Sequence, residues 1–411
     1  MHSTPTIIVG ILARDEEDRL ATVLPPVLPH VDEAVVFDTG SDDHTSAVAR
    51  SLGAVVRRHP RVRDWAVSSN RAIRELHSDW VLWLCCDEAF SPEGLTGLRA
   101  LVADAASHVA GFSFYRYTYF GDGRFYGNEE TRLFRNRADI CFDRAVGESV
   151  THSIRDIGKT VQPANPVLHH FGHMVPERVR REKAAGYLTM LSAEVTGRAL
   201  KPGELGTRAI LLRNAGRLDE ALSSVVTACR LGPDKARLHY LRGLILRTRR
   251  DDEGADQALA RAAQLGYAPF AENMRAVLAI EHGQGDRAVR LLAAVHQHWA
   301  RYPHLVLNRA VCAEQMGDHA AAADYYLAAA RQNPLFLLSL PDLAVDSGWE
   351  SACQSDTPRH FEGLGPRLRQ VARQQPRFDR EVQELFEHPL LGVGRALAPS
   401  RPRVITSSAG C

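Results

Sequence analysis

Val35-Val36-Phe37-Asp38-Thr39-Gly40-Ser41-Asp42-Asp43-His44-Thr45 is a β-rich apolar run that stops at a carboxylate and turns into a helical pattern. A strand ending in a polar turn that opens a helix is the unit of a parallel sheet covered by helices. The flanking segments repeat it. Thr6–Leu12 reads as a buried strand followed by an acidic loop at Asp15, Glu16 and Glu17, then a helical pattern over Leu20–Leu28. Downstream, Ala54–Arg58 reads as a short strand, Trp65–Leu76 as a helix, and Trp80–Cys85 as an apolar strand ending in Asp87-Glu88. Ligands of such sheets bind outside the carboxyl ends of the strands. Asp15, Asp38, Asp42 and Asp87 fall at those ends.

After about Lys201 the strand signals vanish and Ala- and Leu-rich helical segments take over. The three successive spacings of Ala221, Ala255, Ala288 and Ala322 match the ~34-residue period of tetratricopeptide helix pairs. Two helical turns after each comes a second small position: Ala228, Ala262, Val295 and Ala329. Small residues at fixed offsets let paired helices approach closely, and Pro233 and Pro334 stop the second helix. The expected organisation is therefore an α/β domain over 1–195, a helical solenoid over 205–335, a helical extension over 336–397 and a disordered tail over 398–411.

Composition sets limits on function. The chain has 411 residues, 45% hydrophobic and 24% charged, which excludes a mainly disordered or collagen-like protein. A net charge of +1 points to neither nucleic acid nor an anionic membrane surface as partner. Its apolar runs are far shorter than the ~20 residues of a membrane span. No basic stretch precedes the first of them, so no secretory leader is expected. Seven scattered cysteines without a Cys-x-x-Cys spacing suit a reducing cytoplasm.

The motifs carry a resemblance. Asp38-Thr39-Gly40-Ser41-Asp42-Asp43-His44-Thr45 looks like the Asp-x-Gly-Ser-x-Asp-x-Thr stretch of family-2 glycosyltransferases. Asp79-Trp80-Val81-Leu82-Trp83-Leu84-Cys85-Cys86-Asp87-Glu88 resembles their Asp-Trp-Val-Leu-x-Leu-Asp-Ala-Asp-Glu stretch. Arg132-Leu133-Phe134-Arg135, Glu148 and His170-Phe171-Gly172 follow in the order seen in the lipopolysaccharide-core and peptide-modifying branches. The resemblance covers roughly residues 4 to 180. It implies a GT-A fold, Rossmann-like with a mostly parallel sheet, and inverting transfer from a nucleoside-diphosphate sugar.

On the same resemblance, Asp38 contacts the base or ribose and Asp42 supports that loop. Asp15 and Asn70 join them in the donor site. Asp87 holds a divalent cation, Mn or Mg, and His170 adds a nitrogen ligand or contacts the diphosphate. Glu148 is the general base on the acceptor side. The family pattern is altered at Cys85, Asp15, Ser69 and Gly147, where Asp, Asn, Arg and His are usual. The acceptor, expected to be a peptide or protein, a natural product or a glycan, would be held partly by the repeats. The alternative is a catalytically degenerate transferase-like scaffold that binds partners through its repeats.

Overall fold

A computed structural model describes residues 4–60, 64–194, 199–340 and 354–398. Its first elements are β1 (Ile7–Ala13), α1 (Glu17–Val27), β2 (Glu33–Asp38), α2 (Thr45–Ser51) and β3 (Val55–Arg58). Then come α3 (Trp65–Ile73), β4 (Trp80–Leu84), β5 (Glu88–Phe90), α4 (Pro92–Thr96) and α5 (Leu98–Ala103). Two long strands, β6 (Val109–Tyr119) and β7 (Phe125–Arg135), are followed by α6 (Thr151–Asp156) and β8 (Thr160–His170). The eight strands form one sheet in the order β3-β2-β1-β4-β7-β6-β8-β5. β1 pairs in parallel with β2 and β4, β2 with β3, and β6 with β8, so the sheet is mostly parallel as expected.

Pairing registers set where the polar turns fall. Ala13 lies opposite Asp38, and Ile11 opposite Leu84, so β1, β2 and β4 end side by side. The loops carrying Asp15, Asp38, Asp42 and Asp87 leave the sheet from that shared edge. A core containing Ile8, Val35, Phe37, Ile73, Val81, Trp83, Phe134 and Phe142 holds the sheet against α3. Gly10 makes room for it: a Cβ there would lie 2.7 Å from the Trp83 ring. Each large apolar side chain buried in this way is worth roughly 1.5–3 kcal/mol over leaving it in water.

The chain divides into two compact units. One comprises Met1–Thr118, Gly127–Gly172 and Ala396–Ala398; the other includes Tyr119–Tyr126 and His173–Arg395. In the second, α7 (Glu177–Glu194) precedes four helix pairs. These are α8 (Pro202–Asn214) with α9 (Leu218–Leu231), and α10 (Ala236–Thr248) with α11 (Asp252–Ala262). The others are α12 (Ala268–Glu281) with α13 (Gly285–Ala293), and α14 (Pro303–Gln315) with α15 (His319–Gln332).

Ala221, Ala255, Ala288 and Ala322 all sit early in the second helix of a pair and are buried. Ala228, Ala262, Val295 and Ala329 are buried further along, which is why those positions are small. Pro233 and Pro334 follow α9 and α15. After α11 the next proline, Pro269, already belongs to α12, and Gly266 at φ 94° breaks the helix instead, in the left-handed region that glycine enters without a Cβ clash. Beyond the repeats lie the helices Leu364–Gln374, Asp379–Phe386 and Pro389–Leu397. The tail expected over 398–411 lies, apart from Ala398, outside the described residues. No described helix is long and apolar enough to cross a membrane.

Candidate active site

Two loops at the carboxyl edge of the sheet are tied together by their own polar groups. Asp15 adopts φ 53°, a left-handed conformation that Asp and Asn tolerate better than other side chains. Its N–H donates to Ser41 Oγ at 3.0 Å, and its Oδ1 accepts from the Asp42 N–H at 2.7 Å. Glu16 N–H donates to Thr45 Oγ1 at 2.7 Å, and Glu17 Oε2 accepts from the His44 N–H at 2.8 Å. Asp38 is buried and organises the second loop. Its Oδ1 accepts from the Gly40 and Ser41 N–H groups at 3.0 and 2.8 Å and from Ser41 Oγ at 2.8 Å, and its Oδ2 accepts from Ser46 Oγ. Burial works against the charged form, yet these donors outweigh it and hold the carboxyl below the usual carboxylate range. The motif's polar residues thus shape one rigid double loop.

Asp87 and His170, far apart in sequence, meet because β5 pairs antiparallel with β8. Glu88 lies opposite His170, and the Phe171 N–H donates to the Asp87 carbonyl at 2.9 Å. His170 Nε2 stands 3.6 Å from Asp87 Oδ2, and its Nδ1 is 3.1 Å from Thr118 Oγ1. A hydrogen bond at one ring nitrogen fixes the ring and aims the other. Gly172 sits against both groups. A Cβ there would collide with Asp87 Oδ2 and lie 2.8 Å from His170 Nε2. Nearby, Cys85 has its thiol pushed well up, first by burial and then by the charge of Glu88, so it stays protonated. His169 is buried and held neutral, its pKa brought down to about 3 by desolvation. Among the described residues no three His, Cys, Asp or Glu side chains cluster as metal ligands.

Behind Asp87 lies a charge cluster that the sequence does not announce. Glu88 is fully buried. Arg132 grips it through Nε at 2.9 Å and Nη2 at 2.8 Å, and Arg116 Nη1 reaches Oε1 at 3.0 Å. Arg116 also pairs with Glu130 at 3.2 Å. Desolvation opposes ionisation of Glu88, but the two guanidiniums win and bring its pKa down to about 2. Glu88 lies on β5, Arg116 on β6, and Glu130 and Arg132 on β7, which is why no local motif reveals the cluster.

Glu148 stands on a short closed loop. Asp143 and Ser149 exchange backbone hydrogen bonds at 3.1 and 3.3 Å, and Gly147 takes φ 65° between them. The His that the family usually places before Glu148 would be strained at that φ. Glu148 is partly buried, and burial raises its pKa. The positive charge of Arg132 works against that rise, while Glu130 and Glu88 add to it. Glu148 therefore shares one electrostatic environment with the cluster behind Asp87. Asn70, expected in the donor site, holds the Glu148 loop. Its amide clamps the Phe142 backbone, donating to the carbonyl at 2.8 Å and accepting from the N–H at 2.7 Å. That clamp anchors the start of the Glu148 loop.

The structure thus brings Asp15, Asp38 and Asp42 into one double loop and Asp87 and His170 into one pair, with Glu148 in the field of the Glu88 cluster. Thr118, Gly172, Arg116 and Glu130 are the additions. The tight His170-Phe171-Gly172 motif was the one sequence signal for any of them.

Residues 8–154 match the family model described as Glycosyl transferase family 2, and residues 207–269 and 273–335 match Tetratricopeptide repeat. A TPR repeat-containing protein of Synechococcus elongatus is 34% identical over 170 residues, which are 40% of this chain and 41% of that protein. The chain thus spans less than half the length of that relative. A solved structure of glucosyl-3-phosphoglycerate synthase from Mycobacterium tuberculosis, in complex with Mn2+, UDP-glucose and phosphoglyceric acid, is 23% identical at a TM-score of 0.23. The match covers 27% of this chain and 44% of that one. The mannosyltransferase PcManGT from Pyrobaculum calidifontis, in complex with GDP-Man and Mn2+, is 17% identical at a TM-score of 0.37, covering 78% and 87%. The chain carries a Glycosyl transferase family 2 domain at its N-terminal end, followed by tetratricopeptide repeats.

Proposed function

We propose that the N-terminal unit is an inverting glycosyltransferase that moves a sugar from a nucleoside-diphosphate sugar to an acceptor, with the repeats holding part of that acceptor or a protein partner. The observation that carries this reading is the Asp87–His170 pair facing each other at 3.6 Å over Gly172. The family-2 match over residues 8–154, which include Asp87, supports the reaction class.

The side chains fit a hard divalent cation, Mn or Mg. Such ions take one or two protein oxygens and complete their shell with phosphate oxygens and water, so a small protein ligand set suffices. Asp87 and His170 would hold the ion, in the space that Gly172 leaves open. The soft sulfur of Cys85 is a poor ligand for such a hard ion. When bound, the cation offsets the charge that builds on the departing diphosphate. The double loop of Asp15, Asp38 and Asp42 presents a rigid wall to the nucleotide. Glu148 takes the acceptor's proton as the acceptor atom bonds to the anomeric carbon. The bond to the diphosphate breaks in the same displacement, on the opposite face, and configuration inverts.

Asp87→Asn tests the assignment, since the change is nearly isosteric and removes the charge that pairs with the cation. Mn-dependent binding of UDP or GDP, measured by calorimetry, is expected to disappear while the melting curve stays that of the parent. Unaltered Mn-dependent binding would refute it. Gly172→Ala leaves both proposed ligands chemically intact but drives a methyl group between them. Disturbing the orientation of metal ligands lowers affinity by roughly 10- to 100-fold, and that is the expected loss. Mn titration of the variant checks that figure. If the parent protein binds no sugar nucleotide at all, the scaffold reading takes over.

A further inference from the structure

Polar residues recur on the repeats at the period of the helix pairs. Arg247 of α10 and Glu281 of α12 stand one such period apart, and Asn273 of α12 and Asn308 of α14 nearly so. Arg247, Asn273 and Asn308 are all fully buried. Buried polar groups need partners, and here the partner is the chain's own backbone. Arg247 donates through Nη1 to the Ser355 carbonyl at 3.0 Å and through Nη2 to the Thr357 carbonyl at 3.0 Å. Asn273 and Asn308 both donate to the Asp356 carbonyl, at 3.3 and 2.8 Å, and Asn308 also donates to Asn273 Oδ1 at 2.7 Å. Arg359 closes the end. Its N–H donates to Glu281 Oε1 at 2.6 Å, and its guanidinium reaches Asp252 Oδ1 at 2.7 Å and the Arg247 carbonyl at 2.6 Å.

Three successive carbonyls are thus held by side chains one repeat apart. Every residue type carries a main-chain carbonyl, so this row recognises a peptide backbone rather than one sequence. We propose that the repeats carry a peptide-binding groove whose resident occupant is the segment Ser355–Arg359, and that a peptide segment of a partner protein binds by displacing it. The tether returns the segment at an effective concentration of order millimolar, so a free peptide competes weakly until the tethered copy loses contacts. The proposal is independent of the transferase reading, because all of these residues belong to the repeat unit.

Arg359→Ala in the full chain weakens the occupant and leaves Arg247, Asn273, Asn308 and Glu281 in place. A labelled peptide with the sequence of residues 354–362 should bind this variant at least ~10-fold more tightly than the parent by fluorescence anisotropy, because the tethered competitor has been weakened. Adding Asn273→Ala and Asn308→Ala should remove that gain. Equal affinity for the variant and the parent overturns the proposal. Hydrogen exchange on the parent protein decides the matter if the variant does not fold. The Asp356 amide, which donates to the Phe125 carbonyl at 3.0 Å, and the Arg359 amide should exchange faster when the peptide is saturating, with the repeat helices unchanged. Unchanged exchange at both amides makes the segment a permanent part of the fold and sinks the idea.

Discussion

Glu88→Ala will lower the unfolding free energy by about 3–5 kcal/mol, the usual cost of removing one partner from a buried ion pair. The size follows from what remains. Arg132 is only 6% exposed and loses both bonds to Glu88, and Arg116 loses one. A guanidinium cannot shed its charge at neutral pH to escape such a site. Urea titration of variant and parent gives the number, and a loss below about 1 kcal/mol would mean that water reaches the cluster. Acid should reproduce the effect in the parent. The folded-state pKa of Glu88, about 2, lies below the ordinary 4.5. Its contribution is therefore complete above 4.5 and is lost as pH falls from there through about 2.

Glu148→Gln will leave donor affinity close to that of the parent and reduce sugar transfer by at least ~100-fold, the lower end of what a positioned base contributes. Glutamine keeps the shape and the hydrogen bonding but takes no proton. Donor binding by calorimetry and transfer to a true acceptor by mass spectrometry separate the two effects. Near-normal transfer would remove Glu148 from the mechanism, and lost donor binding would make it part of the donor site instead. The pH profile adds an independent readout. Glu148 works as a base only when ionised, and burial raises its pKa, so activity should rise with pH through a limb above 4.5. In Glu148→Gln that limb should vanish.

Strands β1 to β4 could be read from sequence because each is built on a short apolar run, and β2 (Glu33–Asp38) contains the Val35–Phe37 run. The 11-residue strands β6, β7 and β8 do not follow that pattern. The repeats could be read because close packing at Ala221, Ala255 and Ala322 imposes a fixed period on small residues. Partnerships across strands left no such trace. Glu88 reads as an ordinary carboxylate at a strand end, and only the sheet order brings Arg116 and Arg132 to it. Asn70 sits at a position where the family resemblance suggests a ligand contact, but its partner is the backbone of Phe142, which any residue there would offer. The segment Ser355–Arg359 has neither strand nor helix period, and its contacts are made through carbonyls that carry no side-chain signature.

The closed loop that bears Glu148 has a consequence for how the chain can diversify. Asp143 and Ser149 hold each other, and Asn70 fixes the residue just before them, so the loop's ends are secured. Doubling the length of such a segment costs only about 0.6 kcal/mol in closure entropy. Ala145 and Val146 are buried, and the Ala145 carbonyl accepts from the Trp65 N–H at 3.3 Å, so the place for an insertion is the exposed tip at Gly147. On the transfer proposed above, a descendant of this chain would exchange one acceptor for another by rewriting a few codons at that tip, and a designer seeking a new specificity would graft there first.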